Sequence, residues 1–129
     1  MSPELQKKLV KRFPKLYRGI NKPMTETCMC WGFACGDGWF NILWMLSLAL
    51  EDLNEDIEVV QVKEKYGTLR YYIHNGSEEA YKYINAAEAA SQSICEECSE
   101  WGRLRGNGWY YTACDKHTKK EDLEQENEE

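Results

Sequence analysis

The residues best suited to chemistry are Cys95, Cys98, Cys114 and His117, in the runs Cys95-Glu96-Glu97-Cys98 and, fifteen residues on, Cys114-Asp115-Lys116-His117. Three thiols and an imidazole, in two pairs with two residues between partners, suit a tetrahedral Zn²⁺ site. A Cys-x-x-Cys turn aims both sulfurs at one ion, and a Cys-x-x-His pair does the same from a loop-to-helix junction. Four protein ligands close the coordination sphere, so one ion with a structural role is expected. Two disulfides or two unrelated thiol pairs are the other readings. A redox Cys-x-x-Cys would sit in a thioredoxin-like βαβ pattern, and none surrounds this one.

The elements around these ligands can be read in turn. Residues 99–113 are long enough for a β-hairpin, with strands at 103–105 and 109–112 and Gly106-Asn107-Gly108 as its turn. Residues 115–126 have helical composition, which puts the second ligand pair on the first turn of a helix. Knuckle, hairpin and helix together resemble a treble-clef finger. Upstream, Asn75-Gly76-Ser77 caps a helix over about 78–94, with Tyr81, Ile84, Ala87, Ser91 and Ile94 along its buried stripe. That helix should lead directly into Cys95.

Two strands precede it. Residues 57–63 are β-branched, 64–67 read as a turn or bulge, and 68–74 alternate, with Leu69, Tyr71 and Ile73 facing one way. The strands should pair antiparallel, one face on a helix and the other carrying Lys63, Arg70, Tyr72 and His74. Cations mixed with aromatics suit flat anionic ligands such as nucleotides, although ordinary exposed sheet faces carry the same mixture. The helix over 39–53 is apolar around most of its circumference, and so central. Before it stands Gly36-Asp37-Gly38-Trp39. Asp37 is a candidate N-cap, and the glycine-flanked loop offers N–H groups to an anion, or merely starts a helix. Cys28, Cys30 and Cys35 could ligate a second metal with His74, but their spacing matches no common site and a core role is the simpler reading. Ser2-Pro3 starts a first helix with Leu5, Leu9 and Phe13 inward and Lys7, Lys8, Lys11 and Arg12 outward; Pro14 ends it.

The sequence therefore predicts an α+β fold, a short antiparallel sheet packed on helices with a C-terminal treble-clef-like zinc lobe. Its parts are a body over 1–94, the metal lobe over 95–120 and an acidic tail over 121–129. The 129 residues fit one compact unit. The net charge of −6 resides in the tail, which holds six of the 22 acidic groups and no basic one; the rest has sixteen of each sign. A body so balanced is no generic polyanion binder. The tail reads as a solvated, fraying helix end, or as a decoy for a basic partner. Six cysteines, three of them in a metal pattern, with no signal-peptide signature and no membrane-length apolar run, are expected of a reducing cytosol.

Catalysis has little to stand on. With His117 committed to metal, a Cys35–His74 dyad or Asp37 as a general base are the remaining options, and neither has a surrounding motif. A small metal- or Cys/His-dependent hydrolase would need an open position on the ion. Nucleic-acid binding through the finger is the other class, using Arg103, Arg105, Trp109, Tyr110, Lys116, Lys119 and Lys120. The insert and the acidic tail speak against it.

Four segments together carry a resemblance: 35–40, Cys-Gly-Asp-Gly-Trp-Phe; 59–72, Val-Val-Gln-Val-Lys-Glu-Lys-Tyr-Gly-Thr-Leu-Arg-Tyr-Tyr; 95–98, Cys-Glu-Glu-Cys; and Gly108-Trp109 with 112–117, Thr-Ala-Cys-Asp-Lys-His. Over residues 1–118 the chain resembles a family of small hypothetical proteins associated with bacteriophages, prophages and their hosts. The resemblance implies a phage-encoded accessory protein in the cytoplasm of a bacterial host. By analogy with such proteins, it would be a host-defence antagonist that binds a host protein or a nucleotide signal. Gly36, Asp37, Gly38, Trp39, Lys63, Arg70 and Tyr72 are the residues expected at its contact surface. The Cys28/Cys30 pair is an addition to the family's pattern.

Overall fold

A computed structural model describes residues 1–128; Glu129, the last residue of the acidic tail, lies outside the described residues. The fold is mixed α+β, with two small sheets packed on four helices. Helix α1 (Pro3–Arg12) starts where Ser2 and Pro3 dictate, the Ser2 hydroxyl accepting the Leu5 N–H. Leu9 and Phe13 enter the core, and Arg12 pairs with Glu51 at 2.9 Å. Between α1 and the first strand, 3₁₀ turns at Arg18–Asn21 and Met29–Trp31 run along the sheet edge. Leu16 O accepts from Val59 N–H, and Val60 O accepts from Cys28 N–H.

Three strands make the larger sheet. The hairpin of β2 (Glu58–Lys65) and β3 (Thr68–His74) is antiparallel as expected, and β1 (Phe33–Ala34) adds a short parallel strand beside β2. The turn is tighter than the sequence suggested: Tyr66 and Gly67 alone link the strands, with φ of 55° and 82°. Two consecutive positive φ values match the twist of the flanking strands. A shift between Val59 and Gln61 keeps Val59, Val62, Leu69, Tyr71 and Ile73 on one face.

That face shares a core with α2 (Phe40–Asp52), whose Leu43, Leu46 and Leu50 are buried. Helix α2 is central but not covered all round, since Met45 is 65% exposed. Among these apolar groups sit three hydroxyls. Tyr17 lies 2.6 Å from Ser47 Oγ and 2.8 Å from Tyr71 OH, and Ser47 Oγ donates to Leu43 O. A closed chain of donors and acceptors is what makes polar burial tolerable.

Helix α3 (Glu78–Ser91) is shorter than predicted, and its buried stripe begins at Ala80, not Tyr81, which is 46% exposed. Its position explains the difference: α3 closes the open edge of β3. Leu69 N–H donates to Ser91 Oγ and Tyr71 N–H to Glu88 Oε2. Side-chain acceptors from a helix thereby cap an edge that would otherwise template foreign strands.

The small sheet is the hairpin of β4 (Arg103–Arg105) and β5 (Tyr111–Ala113). Cys114 is followed by a 3₁₀ turn at Asp115–His117, and α4 (Lys120–Glu128) begins only after Thr118 and Lys119. The second ligand pair is therefore ahead of the helix rather than on its first turn. The described part of the acidic tail makes contacts of its own. Glu126 pairs with Arg103 and Arg105, and Asp122 accepts from Tyr111 OH. No helix among the described residues is long and apolar enough to cross a membrane.

Candidate metal centre

Cys95, Cys98, Cys114 and His117 converge so that their ligand atoms all lie within 4.8 Å of one another. Cys98 Sγ to Cys114 Sγ is 3.7 Å, Cys95 Sγ to His117 Nδ1 is 3.6 Å, and Cys114 Sγ to His117 Nδ1 is 3.2 Å. Tetrahedral bonds of zinc length would set sulfurs ~3.8 Å and sulfur–nitrogen pairs ~3.6 Å apart. A disulfide would need about 2.05 Å; all six cysteines are free thiols. The donor set fits a metal ion held by three sulfurs and Nδ1. The other imidazole nitrogen, Nε2, lies 3.6 Å from Glu97 Oε2, a carboxylate placed to steady the ring.

Electrostatics inside the cluster are those of thiols competing for few protons. Burial opposes ionisation of Cys114, but hydrogen bonds from the His117 side chain and backbone N–H bring its thiol down to about 7. At Cys98 the Glu100 N–H favours the thiolate; desolvation and the neighbouring sulfurs prevail and push it up to about 11. A dication among them would hold all three as thiolates.

The knuckle is fixed by the segment expected to bind ligands. Gly38 N–H donates to Glu96 O at 2.7 Å, and Gly36 N–H to Glu96 Oε2 at 2.8 Å. Ser99 Oγ donates to Gly38 O, and the Trp39 indole N–H to Ile94 O at 2.9 Å. A Cβ on Gly38 would stand 2.1 Å from Cys95 O, and one on Gly36 2.4 Å from Glu96 O. These glycines exist so that two backbones can touch.

Gly38 and Trp39 are consequently interior, not contact surface, and the N–H groups of Gly36 and Gly38 are already taken. Asp37 is exposed, yet it accepts the Ser2 N–H at 2.7 Å and does not cap α2. Burial raises the Glu96 carboxyl above the ordinary range, and the Gly36 N–H partly offsets this. Nothing in the sequence marked Glu96 as the latch.

The remaining candidates divide. Lys63 and Arg70 are opposite one another on the outer face of the β2–β3 hairpin, and Tyr72 is on the same face, 44% exposed. Cys28, Cys30 and Cys35 do not converge with His74; among the described residues the Cys95 cluster is the one group of three or more metal-ligating side chains. Cys35 is buried, and desolvation pushes its thiol up to about 12, with Glu96 adding to the effect. It follows β1, beside the Lys63 end of β2, whereas His74 faces Glu58 at the other end. Six residues of strand, ~20 Å, separate these ends, so the two form no dyad.

Arg105 is equally unavailable to a nucleic-acid partner. Its side chain is 3% exposed, and its guanidinium bonds Ala113 O, Asp115 and Glu126. The chain matches no protein-family model, no curated protein and no solved structure.

Proposed function

We propose that this chain is a zinc-stabilised binding module, in which one Zn²⁺ on Cys95, Cys98, Cys114 and His117 acts as scaffold and takes no part in catalysis. The carrying observation is the joint between knuckle and body. The ligand-bearing backbone at Cys95 and Glu96 is clamped against Gly36 and Gly38, and every coordination position has a protein donor within reach. An ion so enclosed has no place for substrate or water. The order of knuckle, hairpin, ligand-bearing turn and helix α4 supports a treble-clef-like arrangement, with the second pair displaced ahead of the helix.

The resemblance of residues 1–118 supports the biological setting: a phage- or prophage-encoded accessory protein in a bacterial cytoplasm. There it would antagonise a host defence by capturing a host protein or a nucleotide signal. Two of the segments carrying that resemblance, 35–40 and 95–98, are the two sides of the joint, so the likeness includes the scaffold itself.

Elemental analysis of the purified chain is the test. About one equivalent of tightly held zinc is expected, and Cys98→Ser should lose it. A folded, metal-free protein with unchanged melting would overturn the reading.

A further inference from the structure

The β2–β3 turn and the metal-lobe hairpin meet at a cleft that neither forms alone. It encloses about 270 Å³, between Glu64, Lys65 and Tyr66 on one side and Gly108, Trp109 and Tyr110 on the other. The two parts are held in register: Thr112 Oγ1 donates to Gly67 O at 2.6 Å, and Leu104 packs against Gly67. Trp109 is 80% exposed, Tyr66 65% and Tyr110 40%. Three aromatic side chains presented to water around one cleft mark a surface that something covers. The Lys65 ammonium lies over the Tyr66 ring, 5.5 Å from its centre.

Strand register extends this cleft into a stripe. Lys65 faces Thr68, Lys63 faces Arg70 and Gln61 faces Tyr72, all on the outer side of the sheet. The ion pairs among the described residues use other cations, leaving Lys63, Lys65 and Arg70 uncompensated. Arg70 Nε is enclosed without a hydrogen-bond partner, and among the described residues its guanidinium makes no ion pair. The one carboxylate in the cleft wall, Glu64, is occupied by the Gly67 N–H at 2.7 Å.

We propose that this cleft and the adjoining outer face of β2 and β3 bind a short single strand of nucleic acid. Bases would stack on Tyr66, Trp109, Tyr110 and Tyr72, and phosphates would meet Lys63, Lys65 and Arg70. This deepens the binding-module reading and rests on it. Exposed rings need bases with free faces, which a duplex does not present. The stripe from Thr68 to Tyr72 runs about 13 Å beyond the cleft, too far for one nucleotide to span. An acidic peptide would answer the cations but leave the rings without flat partners. Sheet faces that stack two or three bases are an established mode of single-strand recognition.

The experiment is fluorescence anisotropy with the zinc-loaded full chain and labelled oligo-dT and oligo-U of about 12 nucleotides, a length in the range such surfaces cover. Single strands should bind, and affinity should fall about fourfold for each doubling of salt, as three phosphate contacts require. Trp109→Ala should weaken binding at least about fivefold. Lys63→Ala combined with Arg70→Ala should flatten the salt dependence, and Arg103→Ala, away from the stripe, should change nothing. Duplex binding as tight as single-strand binding overturns the proposal. So does a mononucleotide that competes as well as the oligomer, or polyglutamate displacing the strand with Trp109→Ala without effect. No binding at low salt by fully zinc-loaded protein overturns it too, while leaving the scaffold reading intact; that reading fails only through the metal analysis.

Discussion

The body and the metal lobe are held together by different means. In the body, Trp39, Tyr17, Phe13, Leu43, Val62 and Leu69 belong to one continuous buried cluster. In the lobe, the cluster consists of Cys95, Ala113 and Cys114, with Cys98 and Tyr111 packed against it, so three of its five members belong to the candidate metal site. A segment this short cannot bury enough apolar surface to order itself. The buried Arg105 clamp to Asp115 and Glu126 holds part of it, and on the proposed reading a metal ion cross-links the rest. The difference teaches where each region's free energy resides, and it can be broken experimentally.

Metal removal should have the largest effect. Structural zinc contributes on the order of 10 kcal/mol to folding a finger. Cys98→Ser, or a strong chelator, should therefore strip hydrogen-exchange protection from residues 95–118 while β2 and β3 keep theirs. The Trp39 indole N–H, bonded to Ile94 O, reports the boundary and should shift in its nuclear magnetic resonance. If the lobe stays protected without metal, the contrast with the body is wrong.

The second prediction concerns the joint. In Gly38→Ala, the added methyl meets the backbone of Cys95 and Glu96, at 2.1 to 2.6 Å, with no flexible side chain to yield. A cost of about 3 kcal/mol is expected. It should appear both in thermal melting of the body and in weaker zinc retention, because one contact serves both. A loss confined to zinc affinity would mean the regions are independent.

Much of this was legible in the sequence because it follows from local chemistry. The Cys/His spacing gave the cluster, Ser2-Pro3 gave the start of α1, and alternation from Thr68 to His74 gave the buried face of β3. What escaped depends on pairs distant in sequence. Gly36 and Gly38 looked like a ligand loop because a glycine shows that something comes close without naming it; here it is Glu96, sixty residues from Gly36. The two-residue β1 has no pattern to detect. Helix α4 looked solvated because its acids outnumber its apolar groups, yet Glu126 and Asp122 dock it through charge and hydrogen bonding. Tyr81 fitted a helical stripe, but small Ala80 is the residue that close packing admits.

The smallest effect lies within the body and distinguishes its polar network from its apolar mass. Burial pushes the Tyr17 hydroxyl up to about 12, although its bonds to Ser47 and Tyr71 work the other way, and burial likewise holds Tyr71 well above an ordinary phenol. The sign follows from proton counting. Below about pH 10 folded and unfolded chains both keep these protons, and the network's stabilisation is complete. Above it the unfolded chain releases protons that the folded chain retains, so stability falls as pH rises, by up to ~1.4 kcal/mol per unit for each tyrosine. For Tyr17 the decline continues until about pH 12. Tyr17→Phe should cost about 1 kcal/mol at neutral pH through the lost hydroxyl bonds. It should also remove part of the alkaline slope, to which Tyr71 and the buried Cys35 thiol contribute with the same sign, in urea melts followed by the near-ultraviolet signal of buried aromatics. An unchanged slope would place the alkaline weakness outside the hydroxyl network, with the buried Cys35 thiol as its main source in the body.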